Sequence, residues 1–128
     1  MEIRDDRRYT PEHEWLLVDG SEGVIGITDF AQDELGDVVY VAMPKIGVRL
    51  VRGQSFGEIE SVKTVSELFA PVAGEVIAVN GRLVSEPELV NASPYEDGWM
   101  VRIRLDEGHT AGELLDADAY RATLPAGS

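Results

Sequence analysis

The two lysines of this sequence, Lys45 and Lys63, carry side-chain amines that could take part in covalent chemistry. A lysine side chain ordinarily titrates at about 10.4, so it is charged at neutral pH and is most often simply solvated. Lys63 lies in the stretch Glu-Ser-Val-Lys-Thr at positions 60–64, whereas Lys45 follows Pro44 in a different loop. Amide formation would remove the lysine charge and attach an acyl arm, so the surroundings of each lysine decide whether that chemistry is plausible.

A second candidate for chemistry is His13, which lies between Glu12 and Glu14. This pattern could supply a general acid, a general base or a metal ligand. The other histidine, His109, is distant in sequence, and no clustered metal-ligand spacing, glycine-rich phosphate loop or hydrolase elbow is present. We therefore expect a structural or surface histidine at position 13, with no catalytic residue and no metal site.

The composition indicates one folded, acidic domain. The chain has 128 residues, of which 44% are hydrophobic and 27% are charged, as in ordinary globular proteins. Eleven basic residues against 24 acidic ones give a net charge of 11 − 24 = −13, which argues against binding to nucleic acid or anionic membranes and favours partners with basic patches. The absence of cysteine excludes disulfides, zinc-thiolate sites, iron–sulfur clusters and a catalytic thiol.

We predict a single domain over residues 1–128, with loosely ordered ends at about 1–8 and 125–128. Residues 1–8 mix acids with arginines, and no apolar run follows that could form a signal-peptide core or span a bilayer. A cytoplasmic protein is expected on this ground. The acids between Asp106 and Asp118 could form a docking face, although charged segments of this kind are most often solvated.

Alternating hydrophobic residues predict several strands and only short helices. The predicted strands are Trp15–Val18, Gly23–Ile27, Asp37–Met43, Gly74–Val79 and Trp99–Leu105, with a hairpin turn at Asp19-Gly20-Ser21. Three short helices are predicted from their capping patterns. The first is Phe30–Leu35, which follows a capping box of Asp29 and Gln32 and ends at Gly36, and the second is a turn in which Ser85 and Glu88 form a similar capping box, with Pro87 in the first turn, before Asn91. The third is Ala117–Leu124, which is capped by Asp116, has a hydrophobic staple of Leu115 and Tyr120, and is stopped by Pro125. The fold class is therefore mainly β.

The segment around Lys63 is ambiguous when it is judged by periodicity alone. Its hydrophobic residues recur at spacings of three and four, which is typical of one face of an amphipathic helix, at Phe56, Ile59, Val62, Val65 and Phe69. Valine and threonine around Lys63, and the Ala-Pro-Val-Ala-Gly turn at 70–74, argue instead for strands. Both structures stay open on this evidence.

A family resemblance resolves the ambiguity. The stretches Glu60-Ser61-Val62-Lys63-Thr64 and Ala70-Pro71-Val72-Ala73-Gly74-Glu75-Val76 resemble the lipoyl-attachment hairpin of glycine cleavage system H proteins. Further blocks resemble the same family in the same order, namely Tyr9-Thr10-Pro11, His13-Glu14-Trp15, Gly26–Gln32, Leu35–Val39, Asn91–Tyr95 and Gly98–Met100. The resemblance covers about residues 9–124. Biotin carriers have a tip similar to Ala-Met-Lys-Met, which Val62-Lys63-Thr64 does not match. Lipoyl domains of 2-oxoacid dehydrogenases usually have Asp before the lysine, where this chain has Val62.

The resemblance implies a barrel-sandwich hybrid of the lipoyl and biotinyl type, with short helices including a C-terminal one. It further implies that Lys63, at the exposed tip of a β-hairpin, carries lipoate through an amide bond. The lipoyl arm would supply the sulfur that the sequence lacks. Such a protein is a carrier without catalytic activity of its own, expected here as a monomer.

The resemblance also implies the partners. The arm would receive an aminomethyl group at the pyridoxal-phosphate-dependent glycine decarboxylase, or P protein, and deliver it to the tetrahydrofolate-dependent aminomethyltransferase, or T protein. Dihydrolipoamide dehydrogenase, or L protein, would reoxidise the reduced arm, and a lipoate-attaching enzyme would install it. Tethering raises the effective concentration of the cargo at each site. The sequence leaves open a second role, as a lipoyl relay or H-like scaffold outside glycine catabolism.

Family members fold the loaded arm back into a cleft of their own surface, where acidic side chains hold the cargo ammonium. By position, Glu14 matches the His-Glu-Trp motif, and Glu67 stands where the family has a short acidic or polar residue after the tip. Glu12 stands where the family often has Ser, and Glu34 where it can have His. These four glutamates are the candidate cleft acids, and ordinary surface acids are the alternative interpretation.

Overall fold

Two antiparallel sheets form most of the computed structural model, which describes residues 1–125. The strands are Arg8–Tyr9 (β1), Glu14–Asp19 (β2), Glu22–Ile27 (β3), Val38–Ala42 (β4), Arg49–Leu50 (β5), Ser55–Ser61 (β6), Val65–Phe69 (β7), Gly74–Val79 (β8) and Val101–Leu105 (β9). The larger sheet has the strand order β1-β2-β3-β9-β8-β5, and the smaller has the order β4-β6-β7. The central strand of the smaller sheet, β6, therefore leads directly to Lys63.

All five predicted strands are confirmed, with Gly74–Val79 unchanged and the ends of the others shifted by at most two residues. In β9 the side chains of Val101, Ile103 and Leu105 are buried and that of Arg104 is exposed, as expected for a strand with one buried face. Alternation over Trp99–Leu105 in the sequence predicts that Met100 faces outward with Arg102 and Arg104, and this prediction was wrong, because Met100 is fully buried. Met100 precedes β9, so the alternation of that strand does not extend to it.

The first helix, α1, spans Asp29–Leu35, and its predicted cap is corrected by one residue. The N-cap is Thr28, whose hydroxyl oxygen accepts a hydrogen bond from the Ala31 amide at 3.2 Å. The Asp29 carboxylate instead accepts from the Gln32 side-chain amide at 2.7 Å, on the surface of the helix. The predicted stop at Gly36 is confirmed, since Gly36 has a φ of 77°.

The remaining helices are short. They are Arg82–Ser85 (α2), Leu89–Ala92 (α3) and Ala117–Thr123 (α4), with a 3₁₀ turn at Ala111–Glu113. The predicted capping role of Ser85 is wrong, because Ser85 ends α2 and neither α2 nor α3 has a side-chain cap. The Asp116 cap of α4 is confirmed, with the Asp116 carboxylate accepting from the Ala119 amide at 2.8 Å.

Residues from both sheets pack into one hydrophobic core. Leu16 and Ile25 of the larger sheet and Ile59 and Leu68 of the smaller belong to the same buried cluster. A second cluster lies beside it and contains aromatic side chains, including Tyr9, Trp15, Tyr95 and Tyr120. Burial of this apolar surface holds α1, α4 and the Lys63 hairpin in fixed relative positions.

Loosely ordered ends were expected at about residues 1–8 and 125–128. Near the N-terminus, the buried Arg7 guanidinium donates to the Tyr95 carbonyl at 3.1 Å, and the Tyr95 hydroxyl donates to the Glu2 carbonyl at 2.7 Å. At the other end, residues 126–128 of the expected loose segment lie outside the described residues.

Candidate functional site

Lys63 lies in the tight turn that joins β6 to β7. The Ser61 amide donates to the Thr64 carbonyl at 2.8 Å, which closes the turn. The Ser61 hydroxyl oxygen accepts from the amides of Lys63 and Thr64, each at 3.2 Å. Segment 55–74 is therefore strand, turn and strand, and the alternative of an amphipathic helix is wrong for this chain.

The tip is also tied to the neighbouring edge strand. The Val62 amide donates to the Asp37 carbonyl at 3.0 Å, and Val38 at the start of β4 pairs with Ser61. The turn thus has support from its own serine and from β4. A lysine in this position is presented at a protruding point with a fixed backbone, which suits attachment of a group by another enzyme.

The Lys63 side chain is exposed and extends toward α1. Its Nζ atom lies 3.4 Å from the backbone carbonyl oxygen of Glu34. The stem passes over Gly36, where a methyl group added to the glycine would come within 2.9 Å of Lys63 Cε. The absence of a side chain at position 36 therefore leaves the space that the lysine stem occupies.

A cavity of about 140 Å³ opens next to Glu34. It lies between the start of β2, the inner side of α1 and strand β7. Its walls combine acids with apolar side chains, and they consist of Glu12, His13, Glu14, Ile27, Ala31, Glu34, Leu35, Ser66, Glu67 and Leu68. The structure thus brings together all four acids singled out in the sequence, although they are as much as 55 residues apart.

The four acids differ in their surroundings. Glu14 is only 1% exposed, and its carboxylate accepts from the Thr10 hydroxyl at 2.6 Å and the Phe69 amide at 3.3 Å. Burial raises the pKa of Glu14, and these two hydrogen bonds oppose the shift. Glu12, Glu34 and Glu67 are exposed and form the rim. The cavity therefore has a buried carboxyl in its wall and carboxylates at its mouth.

His13 has a larger part in this cavity than the sequence indicated. It has a left-handed backbone with a φ of 73°, and its Nδ1 lies 2.8 Å from the Tyr120 hydroxyl. Its ring packs against Phe30, with 4.8 Å between centroids. Burial lowers the pKa of His13, with Glu12 and Glu34 acting in the opposite direction. A neutral imidazole is thus favoured in the cavity wall.

Gly36, Ser66 and Tyr120 were not expected near the site. Gly36 was predicted as a helix stop, and nothing in the sequence indicated that the Lys63 stem would cross it.

Among residues 1–125, no group of three or more histidines or acids is arranged to hold a metal ion. No helix within those residues is both long and apolar enough to cross a membrane.

Comparison with known proteins identifies the family. The family model described as glycine cleavage H-protein matches residues 7–126. The chain is 52% identical to the glycine cleavage system H protein of Brevibacillus brevis, over 97% of this chain and 98% of that relative. It is 55% identical to the H protein of Beutenbergia cavernae, over 95% of this chain and 96% of that one.

A solved structure extends the similarity to three dimensions. The crystal structure of a glycine cleavage system H protein from Mycobacterium marinum superposes with a TM-score of 0.86, at 38% identity, and covers 94% of this chain and 97% of that one. The expected mainly β, lipoyl-type barrel-sandwich fold is confirmed. The chain belongs to the glycine cleavage H-protein family, the non-catalytic lipoyl carriers of the glycine cleavage system.

Proposed function

We propose that Lys63 bears lipoate through an amide bond and that the chain carries an aminomethyl group from the glycine decarboxylase to the aminomethyltransferase. Dihydrolipoamide dehydrogenase reoxidises the arm afterwards, and a lipoate-attaching enzyme installs it. One observation carries the proposal: the Lys63 amine stands at the tip of a hydrogen-bonded hairpin and extends toward an acid-lined cavity. Of the two lysines, Lys63 is the one that lies at this hairpin tip and extends toward the cavity.

The residues around Lys63 fit a long acyl arm. Gly36 leaves room for the lysine stem, and the cavity beyond it offers the apolar side chains of Ile27, Leu35 and Leu68. An arm of methylene groups gains free energy by covering such side chains. When bound, the lipoyl group supplies the sulfur that takes up the one-carbon cargo and the electrons of the reaction.

The acids supply what a cationic cargo needs. Carboxylates of Glu67, Glu12 and Glu34 at the mouth attract an ammonium, and such charge-assisted hydrogen bonds strengthen when water is excluded. Glu14 is held by Thr10 and Phe69, so its carboxyl keeps one position deep in the wall. We propose that Glu14 and Glu67 together retain the cargo amine and that the apolar wall keeps water from it.

Intact mass measurement and peptide mapping test the attachment site. We expect one lipoyl group on the wild type, on Lys63. Lys63→Arg should remain folded, since its side chain is exposed, but should take no lipoate, because a guanidinium cannot replace the amine. Lys45→Arg is the matched control and should be lipoylated as fully as the wild type. Modification of another residue in Lys63→Ala would contradict the proposal.

Reconstitution with the three partner enzymes tests the carrier role. Lipoylated wild type and Lys45→Arg should support glycine cleavage and the Lys63 variants should not. If lipoylation of Lys63 is complete and the reconstituted system still fails to cleave glycine, then the carrier proposal is wrong. A lipoyl relay would be the role to test next.

A further inference from the structure

The Tyr120 hydroxyl is a buried polar group outside the cavity that touches two of the elements forming it. Tyr120 is fully buried on α4, and its ring stacks on Tyr9, with centroids 4.6 Å apart and an interplanar angle of 9°. The hydroxyl oxygen lies 2.8 Å from His13 Nδ1 and 2.7 Å from Thr28 Oγ1. One phenol thus bonds two residues from different parts of the chain.

Those two residues adjoin two of the three elements that surround the cavity. His13 lines it directly, just before β2. Thr28 does not line it but caps α1, the helix that contributes Ala31, Glu34 and Leu35 to a second wall. The Thr28 amide also donates to the His13 carbonyl at 3.0 Å. The distance between these two walls therefore depends on the contact between His13 and Thr28, and the Tyr120 hydroxyl bonds both residues.

The backbone conformation of His13 makes a hydrogen-bond partner for its ring important. Its positive φ is uncommon for a side-chain-bearing residue and persists where the surroundings hold it. Its ring contacts Phe30 and Tyr120, and Tyr120 is the group that bonds its Nδ1. Removing that hydrogen bond leaves the ring held by packing alone.

We infer that Tyr120 is a positioning residue for the cargo cavity: its hydroxyl couples the C-terminal helix to His13 and Thr28 and so fixes both walls. The role of the cavity in holding cargo rests on the proposed function, whereas the state of the His13 ring does not. Tyr120 does not line the cavity and acts through its two partners.

The arrangement in which every hydroxyl proton has an acceptor predicts which nitrogen of His13 is protonated. Among the described residues Thr28 Oγ1 contacts the Ala31 amide and the Tyr120 oxygen, so the Thr28 proton has an acceptor only when Thr28 donates to Tyr120. Tyr120 then donates to His13 Nδ1, which leaves the imidazole proton on Nε2. In this arrangement each hydroxyl donates once and accepts once, which is the cooperative arrangement. The positioning role therefore predicts a single His13 tautomer in the unmodified protein.

Tyr120→Phe and Tyr9→Phe form a matched pair for the test. Each variant removes one hydroxyl from the same stacked pair of rings, but the Tyr9 hydroxyl bonds the Arg4 carbonyl near the N-terminus. Nitrogen NMR of the unmodified proteins reads the His13 tautomer. We expect the Nε2–H form in wild type and Tyr9→Phe, and a mixed or reversed population in Tyr120→Phe.

The second measurement is the spontaneous loss of cargo from the loaded carrier without partners. Loss of the Tyr120 hydrogen bonds to His13 and Thr28 predicts release that is roughly two- to tenfold faster from Tyr120→Phe than from Tyr9→Phe. Identical tautomers and identical release in the two variants would overturn the inference. If wild type instead releases cargo as fast as a small lipoamide does, the proposed shielding fails, and the NMR result still reports the hydrogen bond separately.

Discussion

The Lys63 ammonium lies 3.4 Å from the Glu34 carbonyl oxygen, at the carboxyl end of α1. The last carbonyls of a helix lack partners within the helix and carry partial negative charge, so a cation is favoured there. Because Glu34 also lines the acid-rich cavity, the unmodified side chain already extends toward that cavity. The stem crosses Gly36, which leaves the space that the stem occupies.

Gly36→Ala should lower the free energy of unfolding by about 1–3 kcal/mol, since its φ of 77° and ψ of −159° disfavour any side chain. It should also speed cargo release, because the methyl group would crowd Lys63 Cε. Denaturant unfolding and release assays measure the two effects.

The control for this prediction is Gly53→Ala. Gly53 has a φ of 84°, but a methyl group there would meet nothing within 4 Å. The Gly53→Ala variant should lose a similar free energy of unfolding to Gly36→Ala but should not release cargo faster. Equal release rates in the two variants would show that Gly36 does not shape the path of the arm.

Glu14→Gln should change how stability depends on pH. Burial raises the pKa of Glu14 in the folded protein above its ordinary value of 4.5, so the folded state binds more protons than the unfolded state between these two values. The wild type therefore loses stability relative to Glu14→Gln as pH rises from 4.5 through the raised pKa, and the difference is constant above it. Urea unfolding from about pH 4 to about pH 8 checks this; a difference that is independent of pH would contradict it.

Glu14→Gln and Glu67→Gln should each release cargo several-fold faster while leaving lipoylation and fold intact, because each removes a negative charge from the cavity. The double variant should release it faster still, unless the two carboxylates share one role. The decay of the loaded carrier without partners is the measurement.

Glu58→Gln is the matched control for Glu67→Gln. Glu58 is exposed and pairs with Glu67 across β6 and β7, but it does not line the cavity. Its variant should retain cargo like the wild type. Wild-type rates in both single variants and in the double variant would identify Glu14 and Glu67 as ordinary acids.

Binding to the decarboxylase and to the aminomethyltransferase should weaken as salt rises from about 0.05 M to about 0.5 M, because a net charge of −13 attracts basic surfaces and salt screens that attraction. Titration calorimetry at several salt concentrations measures the change. Affinities that do not depend on salt for either enzyme would contradict this.

Two of the acids between Asp106 and Asp118 are weaker docking candidates than the sequence indicated. Asp106 lies 2.8 Å from Arg49, and Asp118 lies 2.8 Å from Arg121. These carboxylates are already partly neutralised by arginines of the same chain. Glu67 and the other exposed acids at the cavity mouth have greater freedom to meet a basic partner.

Local patterns were sufficient where one face of an element is buried. Val101, Ile103 and Leu105 alternate because β9 packs one side on the core, and that alternation is visible in the sequence. Around Lys63 the pattern failed because two hydrophobic residues there, Val62 and Val65, are 67% and 54% exposed. Hydrophobicity therefore did not report burial at the tip, and family resemblance was needed to predict the hairpin.

The cavity depended on contacts that no local pattern contains. Glu14, Glu34 and Glu67 come from β2, α1 and β7, and they meet because two sheets and a helix share a core. Resemblance supplied these acids by position, although it could not show that Glu14 is buried while Glu34 and Glu67 are exposed. The cap of α1 was misplaced because Thr28 and Asp29 are both good capping residues, and only the backbone decides between them.

The hydrogen bond from the Val62 amide to the Asp37 carbonyl limits how far the lysine tip is a portable unit. A hairpin excised as a peptide, or grafted onto another scaffold, would keep the Ser61 hydroxyl but leave Asp37 behind. A modifying enzyme therefore meets a surface composed of three adjacent strands rather than a short linear motif. Any transplant of the attachment site should bring Asp37 and β4 with it.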